Sequence, residues 1–136
     1  MKLRFAMWAM TVAALAGLWA TSLSAHHSLT AEYDNTKTVD FTGTVTEIDW
    51  RNPHAWIYVD VEKDGKIEKW QCELGSPNAM TRAGFGPQSL KPGDKVTFSG
   101  YLAKDGSNTI STRVVTDLNG RTLLSQFAGK GKGKGK

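Results

Sequence analysis

Three histidines carry most of the metal chemistry open to this chain. His26 and His27 are adjacent in "SLSAHHSLTAEYD", residues 22–34, and His54 stands in "RNPHAW". Neutral imidazole donates well to copper, nickel and zinc. A cut after Ala25 would let the amine and imidazole of His26 chelate together. A cut after Ser24 would make His27 the third residue, so that amine, backbone nitrogens and imidazole could surround a square-planar ion. Either arrangement favours Cu(II) by affinity order and geometry. His26, His27 and His54 are therefore the candidate ligands, and copper is the cofactor expected. The alternative is a pair of solvated imidazoles on a loose end.

A second set of residues suits recognition. Trp56 and Tyr58 alternate with the aliphatic residues of "HAWIYVDVE". Gln71 and Glu73 alternate in the same way in "KWQCEL". Flat aromatics beside polar side chains suit a sugar ring, a peptide or a partner's edge. Asp105, Ser107 and Asn108, in "AKDGSNT", are expected to rim the same surface. The alternative is that Leu29 and Tyr33 fold over the aromatics as a second small core. Cys72, Asn52 and His54 invite a thiol-dyad reading. Cys72, however, shares parity with Trp70 and Leu74, which predicts a packed and inert thiol. "GxSxG", "HExxH" and Gly-rich phosphate loops do not occur, and no enzyme is expected. Glu47 and Asp49 share one strand face, a pattern common on solvated surfaces.

The elements that position these residues are mostly strands. "VDFTGTVTEIDW" alternates with Val39, Phe41, Gly43 and Val45 on one side, then switches parity near Thr46 and Glu47. That switch predicts a bulge. "HAWIYVDVE" and "IEKWQCEL" follow, joined by an Asp64-Gly65 hairpin turn. In "GSPNAMTRAGF", Ser76 fits an N-cap, Pro77 the first helical position and Gly84 the stop. "KVTFSGYL" and "ISTRVVTDL" read as two more strands, and "RTLL" as a short last one. Three strands, a helix and two strands is the order of the OB-fold, a five-stranded Greek-key barrel. The fold class expected is all-β with one short helix, OB-like, with a small β-sandwich as the alternative. In an OB-fold, strands two and three and their flanking loops form the ligand face, which is where the second set of residues falls.

The ends read differently. Lys2 and Arg4 precede the apolar run "FAMWAMTVAALAGLWA", and small residues follow in "TSLSA". This is the order of a secretory signal peptide. The apolar run falls short of the roughly 20 residues that a spanning helix needs. The boundaries expected are a signal peptide over 1–25, an arm over 26–37, a barrel over 38–127 and a disordered tail over 128–136. Removing 25 of 136 residues leaves 111, enough for a core without further support. The location expected is the periplasm or the exterior.

The formal charge of +4 comes from the ends. Two of the 17 basic residues lie in 1–25 and four in "GKGKGKGK", leaving eleven against 13 acidic ones. A body so balanced lacks the basic face of a nucleic-acid binder. The tail cannot build a core. Its functional reading is weak contact with an anionic membrane surface.

Five segments together resemble a family of short exported bacterial proteins with no assigned activity. They are "HHS", "WRNPHAWIYVDV", "ELGSPNAM", "SLKPGDKVTFSGY" and "AKDGSNT", spread over residues 26–109. The resemblance implies a single exported OB-like domain and no reaction. The chain departs from it in "MTRAGF", where relatives carry more basic residues and a Trp in place of Phe85, and in its Lys-Gly tail. The function expected is a small exported binding module of unassigned ligand, with Cu(II) the candidate through His26, His27 and His54. The alternative is a metal-free module that uses the aromatic face for carbohydrate or protein. The partner expected is a small ligand or an envelope protein.

Overall fold

The computed structural model describes residues 29–126 of the chain. The candidate leader, His26, His27 and the Lys-Gly tail lie outside the described residues. The elements in order are α1 (Leu29–Glu32), β1 (Tyr33–Asp49), β2 (Trp56–Lys63), β3 (Lys66–Glu73), α2 (Pro77–Arg82), β4 (Lys95–Ala103), β5 (Thr109–Thr116) and β6 (Thr122–Ser125). The sheet order is β3-β2-β1-β4-β5-β6, and an added pairing of β3 with β5 closes it into a ring. That circuit, with a helix between the third and fourth strands, is OB-like. Five of the six strand pairings are antiparallel, and the closing β3–β5 seam is parallel.

β1 is the pivot. Its first part pairs with β4, from Tyr33 opposite Ala103 to Thr44 opposite Lys95. Its last part pairs with β2, from Thr44 opposite Asp60 to Asp49 opposite Trp56. Between Val45 and Glu47 the register slips, the bulge that the parity switch predicts. A strand that serves two neighbours must bend, and a bulge supplies the bend. The strand begins at Tyr33, ahead of the apolar alternation that starts at Val39. Residues 33–38 are mostly polar and exposed, so they carry no hydrophobic period. Backbone pairing of Tyr33 and Asp34 with β4, resumed at Thr38 after a register break, makes them a strand.

The local chemistry explains the other joints. Asp64 and Gly65 both have positive φ, 51° and 73°, as a two-residue hairpin turn requires. The Ser76 side chain accepts from Ala79 N, with Pro77 opening α2. This helix adds Met80 to the core, and Phe85 and Leu90 follow it there. Ile48, Ile57, Cys72 and Ile110 form one inward row across four strands, since Ile48 faces Ile57, Ile57 faces Cys72, and Cys72 faces Ile110. Phe98, Val45, Val59 and Val115 fill the centre and are fully buried. Phe41 bridges Trp70 and Phe98, with ring centroids 4.4 and 5.8 Å away.

The ring is tight where strands cross. A Cβ on Gly100 would lie 2.4 Å from the Ser111 carbonyl oxygen, and nothing crowds Gly86. Overpacking of this kind costs about 1–3 kcal/mol. Gly100→Ala should therefore lower the thermal midpoint by several degrees, at about 4–8 °C per kcal/mol for a domain of this size. Gly86→Ala should leave it nearly unchanged. Paired melting curves check this.

Candidate functional site

Outside the core row lies a second row of opposite parity. Asp49 faces Trp56, Trp56 faces Glu73, and Glu73 faces Ser111. Beyond Trp56 the β2–β3 ladder continues through Ala55. Ala55 N donates to Gly75 O at 3.1 Å, and Leu74 N donates to Ala55 O at 2.9 Å. Ala55 is fully buried, so the pleat turns both His54 and Trp56 to the outer face. The peptide bond between Asn52 and Pro53, just before His54, is cis.

Glu73 is the centre of this face. It is buried, at 8% relative exposure. The Tyr33 hydroxyl donates to its Oε2. His54 Nδ1–H donates to its Oε1. A carboxylate has only acceptors, so both partners must be the donors. In neutral imidazole the remaining nitrogen is then the acceptor. With the ring neutral, Nε2 of His54 carries the lone pair, on a side chain half exposed to solvent. The Tyr33 hydroxyl has its pKa raised far above the ordinary value, chiefly by burial, then by its bond to Glu73 and the charges of Glu73, Glu32 and Asp105.

A groove of about 720 Å³ opens beside Tyr33. Trp56 and Gln71 come to it from β2 and β3, Asp105 and Ser107 from the β4–β5 loop, and Thr109 from the start of β5. Ala31 and Glu32 supply its N-terminal wall. Lys104 pins that wall twice: its N donates to Glu32 O at 2.9 Å, and its Nζ to Thr30 O at 2.5 Å. Ser107 holds Asp105 Oδ1 through its N at 2.9 Å and its Oγ at 2.7 Å, and these bonds keep Asp105 below the ordinary carboxylate range.

The structure brings together His54, Glu73 and Trp56, and places Gln71 and Asp105 on the same groove as Trp56. Tyr58 stands one outward position along β2, opposite Gln71. Asn108 turns its backbone to the site, its O accepting from Gln71 N at 2.9 Å. Tyr33 does pack over the face, whereas Leu29 is 43% exposed and the groove stays open beside Trp56. Asp49 is held below the ordinary carboxylate range by Arg51, whose Nε reaches Asp49 Oδ1 at 2.5 Å. Burial pushes the Cys72 thiol up strongly.

The bridging role of Glu73 is what the sequence reading misses. The signal was the Asp64-Gly65 turn: it sets Lys63 opposite Lys66 and, counting back, Trp56 opposite Glu73. Among the described residues, no group of three or more His, Cys, Asp or Glu side chains gathers into a metal site. His54 thus offers one nitrogen, and a metal there needs further donors from elsewhere.

The chain belongs to a family of unknown function, DUF6152, whose model matches residues 14–112. No curated protein matches it. Among solved structures, the mitochondrial single-stranded DNA-binding protein Rim1 of S. cerevisiae is similar over 65% of this chain and 95% of its own, at 9% identity and a TM-score of 0.47. A ZRD-deleted mutant of TiaS, solved in complex with agmatine, is similar over 60% of this chain and 21% of its own, at 24% identity and a TM-score of 0.43.

Two outcomes follow from the site. Tyr33→Phe leaves Glu73 Oε2 without its donor in a buried place, which costs about 1–3 kcal/mol, read as a lower denaturation midpoint. The raised Tyr33 pKa also gives a pH signature. Below about pH 10 the hydroxyl is protonated in both folded and unfolded chains. As pH rises further, only the unfolded chain releases the proton, and this part of the stability is lost. The stability gap between the native chain and Tyr33→Phe should therefore be level up to about pH 10 and shrink above it. Melting curves across that range check the sign.

Proposed function

We propose that this protein is an exported binding module for Cu(II), with His54 Nε2 as one ligand and His26 and His27 as the others. The observation that carries the reading is the buried Glu73 carboxylate, which takes His54 Nδ1–H. A ligating histidine commonly gives its other N–H to a carboxylate, which fixes the tautomer and makes the ring a better donor. Here that partner is in place before any metal arrives.

Chain geometry supports the shared site. Glu73 binds Tyr33 with one oxygen and His54 with the other, so the start of β1 is anchored next to the imidazole. His27 stands two residues before α1, which leads directly into Tyr33. The donor set fits the ion: imidazoles and an amine suit Cu(II) in tetragonal geometry. Bound copper would supply a Lewis-acidic centre, and the chain's own contribution is to orient His54 and exclude water from Glu73. Export is supported by the charged, apolar and small-residue order of residues 1–25. On this reading the protein resides in the periplasm or outside the cell, and its Lys-Gly tail makes weak contact with anionic surfaces.

The test begins with the intact mass of protein recovered from the export compartment, which should correspond to a start at His26 or Ala25. Copper titration of that material should saturate near one equivalent. Affinity should fall at least tenfold in His54→Ala and about 10–100-fold in Glu73→Gln, the range for loss of an orienting partner. It should also weaken as pH falls through the α-amine range, about 7.7–8.0. Unchanged affinity in His54→Ala would remove His54 from the site.

A further inference from the structure

We infer that the groove beside Tyr33 binds a neutral saccharide, with one ring stacked on Trp56. This site lies next to the copper site and does not depend on it.

Several observations converge on that ligand class. The groove volume, about 720 Å³, is within the range of small-molecule sites, roughly 300–1,000 Å³. Trp56 is its one aromatic wall besides the buried Tyr33. An indole offers a broad apolar surface at little conformational cost, which matches the C–H face of a pyranose. The remaining wall combines donors and acceptors, as a ring of hydroxyls requires. The Gln71 side-chain amide faces no protein hydrogen-bond partner among the described residues and is exposed. Ser107 and Thr109 contribute hydroxyls, linked to each other at 2.8 Å. Asp105 is an acceptor fixed by Ser107.

Charge narrows the class. Glu32 and Asp105 stand on the rim, and Glu73 lies against Tyr33. The cation on this wall, Lys104, is committed to the Thr30 carbonyl. A groove with this balance repels phosphates and uronates, since like charges brought together without counterions cost energy that rises as water is excluded. Single-stranded nucleic acid, which OB-folds bind through basic grooves, is therefore disfavoured at this face. A neutral sugar meets no such barrier.

The walls come from three parts of the chain, and each is fixed. Trp56 and Gln71 sit on paired strands. The β4–β5 loop is tied to β3 by the bond from Gln71 N to Asn108 O. The N-terminal wall is held by Lys104 and Tyr33. A groove formed in this way before binding loses less on ligand capture.

The experiment is an NMR titration of the metal-free full chain, following the indole N–H resonance that disappears in Trp56→Phe. The probes are cellobiose and di-N-acetylchitobiose, with digalacturonate and an oligo(dT) as charged comparators. A saturable shift with at least one neutral disaccharide in the millimolar range or tighter, little or none with the charged probes, and at least tenfold weaker binding in Gln71→Ala is the expected result. Gln71 is exposed, so its variant keeps the fold and isolates the contact. No saturable shift with either neutral disaccharide overturns the inference. So does an equal or stronger response to digalacturonate or oligo(dT). Because the chain is metal-free throughout, failure of the copper reading leaves this result untouched.

Discussion

A carboxylate taken out of water must be met by donors, or it destabilises the fold that buried it. Glu73 is that group here, and the outer face is organised around it. Its two oxygens take one donor from the start of β1 and one from the turn before β2. Residues 33, 54 and 73 are far apart in sequence, so a single side chain fixes three segments. The satisfaction is selective as well as stabilising. It commits Tyr33 to being a donor, and it commits His54 to one tautomer. The other ring nitrogen is left on the half-exposed side of the imidazole.

Barrel closure and site formation occur at the same place. The β3–β5 seam consists of three residue pairs, Gln71 with Thr109, Cys72 with Ile110 and Glu73 with Ser111. The middle pair points into the core and the outer two belong to the face. Packing Cys72 against Ile110 therefore sets the height of Gln71 and Glu73 relative to Thr109 and Ser111. The loop that precedes β5 carries Asp105 and Ser107, so it is delivered to the groove by the same seam. β6 takes the next stretch of the β5 edge, pairing Val115 with Leu124. One strand edge is thus shared between ring closure and a final cover. Close approach at this crossing leaves no room for a Cβ on Gly100.

What was legible in the sequence was whatever rests on local rules. The Asp64-Gly65 turn, the Ser76 cap, the bulge after Val45 and the inward parity of Cys72 each follow from a few neighbouring residues, and the structure has all four. Their sum gives the OB-like order of elements. What was not legible depends on residues distant in sequence. Tyr33 to Thr38 lack any apolar alternation, and only the pairing of Tyr33, Asp34 and Thr38 with β4 makes the segment a strand. Nothing near Glu73 announces that Tyr33, forty positions earlier, will bury it. Parity finds the outer row of β2 and β3 but not which member is bridged, and loop position alone does not rank the residues of 105–108. Tyr58 and Asn108 therefore read as equivalent to Trp56 and Asp105, although the groove is lined by the latter pair.

The pleat also decides which chemistry these residues share. Cys72 and Glu73 are consecutive, so their side chains leave β3 on opposite sides. The thiol enters the core beside Ile57 and Ile110, and burial holds it protonated. His54 stands on the other side, bonded to Glu73. A thiol–imidazole dyad needs hydrogen-bond contact between its members, and here a sheet lies between them. The partner that the backbone does give His54 is a carboxylate. A carboxylate behind an imidazole with an outward lone pair orients that lone pair toward whatever approaches from solvent. The same alternation that hides the thiol therefore turns the imidazole to the outer face, where Glu73 meets it.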